Sequence, residues 1–112
     1  MHHNTIMSPR LQELYDLVAK IPPGTVIGYG AIGRCMQSPV SGVLTGKWMA
    51  NCPPHLPWWR VVGADGTLKT NSRDPHLAQE QKRQLESEGI TFENERINPE
   101  HFLPNPELIL TF

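Results

Sequence analysis

The stretch Leu56-Pro57-Trp58-Trp59-Arg60-Val61-Val62 holds the residue types with the most chemical character. Two adjacent indoles offer large aromatic faces, and the guanidinium after them is a planar, permanently charged donor. None of these is a nucleophile. The thiols, Cys35 and Cys52, lack the spacing of a metal site or a disulfide framework. No basic cluster stands beside Cys52 to lower its pKa, and both cysteines read as inert. Paired carboxylates, a Ser/His/Asp set and a phosphate-binding glycine loop are all missing. No catalytic residue, metal ligand or cofactor motif is therefore assigned.

The Trp pair needs a stiff support. Pro57 fixes its own φ and donates no N–H, so Trp58 and Trp59 should leave a turn rather than continue a regular helix. Arg60-Val61-Val62 reads as the start of a short strand, joined around Asp65-Gly66 to Thr67-Leu68 as a small hairpin or wing. Successive extended residues face opposite sides, which predicts one indole in the core and the other in a cleft.

Upstream, Ser8-Pro9 is a helix start, and Leu11, Leu14, Leu17, Val18 and Ile21 recur at helical spacing to about Lys20. Ile21-Pro22-Pro23-Gly24 stops that helix. Thr25 to Gly28 reads as an extended link. Tyr29 opens a second helix to about Met36, with Ile32 and Cys35 inward. Ser38-Pro39 gives a tight turn and a third helix over 40–50, burying Val40, Val43 or Leu44, and Trp48. Helix, short turn, helix is the helix-turn-helix arrangement, whose later helix lies near DNA. A fourth helix should run from Asp74-Pro75 to Gly89. The segment 98–112, with Pro99, Pro104 and Pro106, is expected to lie extended along the body, and residues 1–7 to be a flexible N-terminus.

Composition sets the frame. The 112 residues fit one domain with one modest core, and 38% hydrophobic with 19% charged residues fits a soluble globular chain. No run is long enough to span a membrane, and the first residues lack the apolar core of a signal peptide, so a cytoplasmic, nucleoid-associated protein is expected. The net charge of −1 argues against indiscriminate coating of DNA. Its distribution says more. Between Gly28 and Thr70 stand Arg34, Lys47, Arg60 and Lys69 against the single acid Asp65, whereas 80–100 is predominantly acidic. One face toward phosphates fits this pattern, with a shallow salt dependence.

Pro57-Trp58-Trp59-Arg60-Val61 resembles the Pro-Cys-His-Arg-Val signature of the O6-alkylguanine-DNA alkyltransferases. Trp58 stands at the alkyl-accepting Cys and Trp59 at the activating His. The chain is similar to the alkyltransferase-like branch, which carries Pro-Trp-His-Arg-Val and binds alkylated DNA without repairing it, and departs from it one step further. The resemblance spans about Ser8 to Ile90 and implies an α/β fold, a small winged helix-turn-helix domain of the alkyltransferase C-terminal type, over 8–97. It places Tyr29 at the Tyr that rotates the phosphate of the flipped nucleotide, and Asn51 at the hinge after the recognition helix. Glu88-Gly89 matches the Glu-Gly that completes the relay, with neither Cys nor His left to activate. Val43 takes the place of the Arg finger that replaces the flipped base. It could act as an apolar wedge between base pairs, as in other duplex-kinking proteins.

Alone, the Trp pair reads as packing aromatics; the surrounding motif reverses that preference. The resemblance implies a lesion pocket of Trp58, Trp59, Tyr29 and Arg60, with Arg60 bonding carbonyls or an acid behind the turn. It implies DNA contacts from Tyr29, Ser41, Val43, Thr45, Lys47, Asn51 and Lys69. The expected function is non-enzymatic recognition of O6-alkylguanine in double-stranded DNA by nucleotide flipping, flagging the lesion for nucleotide excision repair proteins. The expected protein is a monomer with no membrane partner and no cofactor. The alternatives are a winged helix-turn-helix regulator or architectural DNA binder without lesion specificity, and a protein-interaction module using the tail and the Trp pair. Affinity for lesion-bearing against unmodified duplex separates them.

Overall fold

The computed structural model describes residues 8–111; the expectation for residues 1–7 lies outside the described residues. Helix α1 (Pro9–Ala19) starts where Ser8-Pro9 predicts, with the Ser8 hydroxyl accepting from the Leu11 N–H at 3.2 Å. Leu14, Leu17 and Val18 form its buried face. Tyr15 is buried as well, and its hydroxyl donates to the Trp48 carbonyl at 2.7 Å, tying α1 to the third helix. Strand β1 (Ile27–Gly28) follows the Pro-Pro-Gly stop, and α2 (Tyr29–Arg34) opens at Tyr29 as expected. It ends sooner than Met36, although Cys35 and Met36 are still buried beyond its end.

Helix α3 (Gly42–Met49) starts later than Ser38-Pro39 suggests. The Val40 N–H is taken by the Gly33 carbonyl at 3.2 Å, which holds 39–40 in a turn against α2. Ser41 is the cap instead, its hydroxyl accepting from the Leu44 N–H at 3.1 Å. The two helices cross closely. A Cβ on Gly33 would lie 2.5 Å from the Val40 carbonyl and 2.6 Å from the Thr45 hydroxyl, so only glycine fits there. Thr45 is the fully buried residue of α3, and Val43 points the other way, 74% exposed. Of the alternatives Val43 or Leu44, Val43 is exposed and Leu44 half-buried, because the face toward α2 runs through Thr45.

Strand β2 (Val61–Val62) follows a single 3-10 turn, Trp58–Arg60, as Pro57 leads one to expect. The expected hairpin with Thr67-Leu68 does not form. Strand β2 pairs in parallel with β1, Ile27 against Val61 and Gly28 against Val62. The returning segment keeps one backbone bond to this strand's end, Gly63 N–H to Thr67 carbonyl at 2.9 Å. Both valines are buried, and the parallel partner lets them be covered from two sides.

After a 3-10 turn (Lys69–Ser72) comes α4 (Pro75–Ser87), capped by Asp74, whose carboxylate accepts from the His76 N–H at 3.0 Å. Gly89 ends it at φ +90. The Ile90 N–H reaches the Leu85 carbonyl and the Gly89 N–H the Glu86 carbonyl, the paired bonds of a Schellman close. An unanticipated hairpin follows: β3 (Phe92–Glu93) pairs antiparallel with β4 (Arg96–Ile97) across Asn94 and Glu95, both at positive φ. Asn94 suits that turn; Glu95 is an unusual choice for it and hid the hairpin.

The tail is not simply extended. It forms a 3-10 turn (Pro99–His101) and a short helix α5 (Pro106–Leu110), with Leu103 and Leu110 in the core. Backbone bonds from Val26 to the His101 carbonyl and from Leu103 to the Val26 carbonyl fasten it beside β1. Two apolar clusters result, one beneath α1 and α2 and one of Val26, Val62, Leu85, Ile90 and Ile97. The Trp turn lies between them.

Candidate nucleic-acid interface

The two indoles of the turn meet edge to face, ring centres 6.0 Å apart and planes at 83°. They point to different environments. The Trp59 N–H donates to Glu88 Oε2 at 2.9 Å. Arg60 lies over the Trp59 ring at 5.6 Å and grips the same carboxylate, Nε to both oxygens at 3.0 and 3.1 Å and a terminal nitrogen at 2.6 Å. Its other terminal nitrogen donates to the Ile21 carbonyl at 2.8 Å, and Glu88 also accepts the Gly24 N–H at 3.1 Å. Burial pushes the Glu88 carboxyl up, but the bonds from Arg60, Trp59 and Gly24 outweigh it and hold it below the usual carboxylate range. This cluster locks the turn from behind. Arg60 is therefore not a pocket residue; it bonds an acid and a carbonyl behind the turn.

A second lock comes from α4. Gln81 is fully buried, and its amide nitrogen donates to the carbonyls of Trp59 and Val61, each at 3.1 Å. Its amide oxygen accepts from the Thr70 hydroxyl at 2.7 Å, which binds the 3-10 turn to the same point. Trp58 takes no part in either lock, and its indole N–H has no hydrogen bond among the described residues. Its ring faces a cavity of ≈ 20 Å³ walled by Tyr29, Met49, Val61, Thr70 and Gln81. That space accommodates about one water molecule.

The cavity's mouth is formed by Tyr29, Gly46 and Arg73, which also belong to an open groove of ≈ 730 Å³. The groove floor is nearly bare: Gly30, Gly42, Gly46, Ala50, Gly63 and Ala64. Lys47, Lys69 and Arg73 supply its charge, with no acid in the lining. Asp65 holds Lys69 at 3.3 Å from outside the groove. Lys47 and Arg73 have no ion pair among the described residues. Burial pushes the Tyr29 hydroxyl up, with Arg73 pulling the other way, so Tyr29 is a neutral phenol at physiological pH. A bare, cationic groove leading to an aromatic recess accepts a polyanion carrying flat rings.

Against the sequence assignments, Tyr29, Val43, Lys47 and Lys69 line the groove, and Trp58 lines the recess. Trp59 and Arg60 belong to the supporting cluster. Thr45 is corrected: it is fully buried and donates to the Ser41 carbonyl at 2.8 Å, so it has no surface for DNA. Ser41 caps α3, and Asn51 is exposed just beyond the groove lining, its N–H on the Trp48 carbonyl. Missed were Arg73, Met49, Thr70 and Gln81. Arg73 falls just past the basic stretch that ends at Thr70, adjacent to the Asp74-Pro75 helix start, where a charge reads as solvated. The other three look like ordinary helix and turn residues and gave no signal. Burial raises the Cys52 thiol to about 11, which leaves it protonated and inert. No three His, Cys, Asp or Glu side chains converge as metal ligands among the described residues.

The architecture and groove define a DNA-binding domain of the alkyltransferase kind. Residues 9–90 match the model of the 6-O-methylguanine DNA methyltransferase DNA-binding domain, and the chain belongs to that family. It is 38% identical over 81 residues to alkyltransferase-like protein 1 of Schizosaccharomyces pombe, covering 70% of this chain and 73% of that one. It is 34% identical over 86 residues to a DNA base-flipping protein of Vibrio parahaemolyticus, covering 75% of this chain and 83% of that one. The fold matches the crystal structure of S. pombe Atl1 in complex with damaged DNA containing O6-carboxymethylguanine, with a TM-score of 0.77 and 31% identity over 88% of this chain and 98% of that one.

Proposed function

We propose that the protein recognises O6-alkylguanine in duplex DNA by turning the damaged nucleotide out into the Trp58 recess, and marks it without removing the alkyl group. The observation that carries this reading is the recess itself: the rings of Trp58 and Tyr29 with Met49 and Val61, beside the polar Thr70 and Gln81, opening beside a cationic groove that shares Tyr29, Gly46 and Arg73 with it. An alkyl group at O6 weakens pairing, so extrusion costs less than for an intact guanine. Burial of the alkyl group adds roughly 0.8 kcal/mol per carbon, and the Trp58 face stacks on the ring.

Entry requires movement, because ≈ 20 Å³ holds no purine. The inner wall of Val61, Thr70 and Gln81 is buried and hydrogen-bonded. The exposed Arg73 and the ring of Trp58, which has no hydrogen bond, are the parts that yield. Transfer of the alkyl group needs a thiolate or similar nucleophile; an indole supplies none, and Cys52 is a thiol. The bound protein flags the lesion for nucleotide excision repair proteins. A winged regulator or architectural binder is the second reading, favoured by the closed recess.

Placing 2-aminopurine in the strand next to O6-methylguanine tests flipping, because the probe brightens when its stacked neighbour leaves the helix. Fluorescence should rise severalfold on binding to the duplex and far less with Trp58→Ala. An unchanged signal at saturation would leave the regulator reading.

A further inference from the structure

We propose that Asp65 withdraws Lys69 from the phosphates, and that this pair, neutral as a unit, sets how loosely the protein holds ordinary duplex DNA. This rests on the reading that the groove carries the duplex, and not on what enters the recess.

Lys69 lines the groove, but its ammonium turns to the Asp65 carboxylate, Nζ to Oδ2 at 3.3 Å. The side chains are 54% and 44% exposed, and a pair so open to water is weak on attraction alone. Its hold comes from both partners being ordered beforehand. The loop of Asp65 is fixed by bonds from the Gly63 N–H to the Thr67 carbonyl, the Gly66 N–H to the Gly63 carbonyl and the Ile97 N–H to the Gly66 carbonyl, each 2.9 Å. Within it the Asp65 carboxylate accepts from the Thr67 hydroxyl at 2.7 Å and the Thr67 N–H at 3.1 Å. Those bonds, with Lys69 adding to them, hold the carboxyl far below the usual range, so Asp65 is a fixed anion at neutral pH. The lysine is placed as well. A Cβ on Gly63 would lie 2.6 Å from Lys69 Cε and 2.8 Å from Asp65 Oδ1, so the pair fills the space that this glycine leaves.

The other two cations of the groove, Lys47 and Arg73, make no ion pair among the described residues. Lys69 differs from them in its cost of transfer. A phosphate that takes Lys69 leaves a fixed carboxylate bare beside a second anion. The duplex then gains one positive contact and one negative neighbour, and no net counterion release follows. Binding to ordinary duplex therefore draws on two cations of the groove rather than three. A protein that must leave undamaged DNA to reach rare sites benefits from short residence there, and a neutralised cation shortens it.

The test measures affinity for one unmodified duplex over a range of salt concentrations. It compares the parent, Asp65→Asn, Lys69→Met and the double variant, with Glu93→Gln as a control that changes net charge equally on the β3–β4 hairpin. Asparagine keeps an acceptor for the Thr67 N–H, and a near-UV spectrum matching the parent's confirms that each variant is folded. Asp65→Asn should tighten binding about fivefold and steepen the salt slope by about 0.9, the value of one added phosphate contact. Lys69→Met should alter the parent by about twofold or less, yet remove the whole gain of Asp65→Asn in the double variant. Glu93→Gln should change affinity by less than about twofold. An Asp65→Asn protein that binds like the parent, a gain that survives Lys69→Met, or an equal gain in Glu93→Gln would each overturn the proposal. Lys47→Ala and Arg73→Ala check the groove separately, and each should weaken binding and lower the slope. If neither does, the duplex lies elsewhere, and the groove reading falls together with the proposal.

Discussion

Trp58 and Trp59 are identical side chains on neighbouring residues, and the chain puts them to opposite uses. Trp59 is bonded to a carboxylate that also holds Arg60 and a backbone N–H. Trp58, one residue earlier, makes no hydrogen bond through its indole and faces a recess beside the cationic groove. The lesson concerns where rigidity is placed. Behind the turn stand the charge-assisted bonds to Glu88 and the amide bonds of Gln81, so the one ring in front is presented from a fixed base. The Glu88–Trp59 contact also occupies the place that the resemblance gives to the acid and base of a nucleophilic relay. An indole in that place passes no proton.

The largest effect that could break this contrast is the appearance of chemistry. Trp58→Cys alone should show no transfer of labelled methyl from DNA to protein, because Trp59 supplies no base to deprotonate the thiol. Adding Trp59→His puts an imidazole against Glu88 and should produce measurable transfer. Label on the single variant would mean that the recess activates thiols without the relay.

Next in size is stability. Glu88→Ala leaves the Arg60 guanidinium and the Trp59 N–H without their acceptor in a mostly buried site, costing about 3 kcal/mol. At roughly 4 °C per kcal/mol for a chain of this size, the melting temperature should fall by about 12 °C. Trp58→Ala, with no such bond to lose, should cost clearly less. Equal losses in the two variants would erase the distinction between the front and the back of the turn.

A smaller effect sharpens the same point through pH. The folded Glu88 carboxyl titrates below its ordinary value, so its stabilisation is complete above the usual Glu range, about pH 4.3, and is lost as pH falls through the folded value. The urea midpoint of the parent should drop over that acid interval more steeply than that of Glu88→Gln. Parallel curves would show that the carboxylate's charge contributes nothing to the lock.

The helices were legible because their signals are local. Ser8-Pro9, Asp74-Pro75 and Gly89 are caps whose chemistry operates within a turn, and the apolar spacing of α1 names its buried face. What failed depended on partners distant in sequence. Val61-Val62 looks like one arm of a hairpin, yet its partner is Ile27-Gly28, and no turn signal announces a parallel pairing. The third helix misled in part: Val40 and Trp48 pack inward as expected, but a glycine on α2 lets Thr45 approach as the fully buried residue and leaves Val43 exposed. Within the site, the Pro57-to-Val62 motif and Tyr29 were visible through resemblance. Gln81 and Arg73 were not, since a buried glutamine is defined by the carbonyls it meets and Arg73 by the groove it borders.

The central claim is that the Trp58 recess reads an alkylated base and leaves it alkylated. It is tested most directly by competition, at one fixed salt concentration, between a duplex holding a single labelled O6-methylguanine and its unmodified twin, with the DNA recovered and counted afterwards. The account predicts at least tenfold preference for the lesion, loss of that preference in Trp58→Ala, and all of the label still on the DNA. Equal affinity for the two duplexes, or label found on the protein, would contradict it.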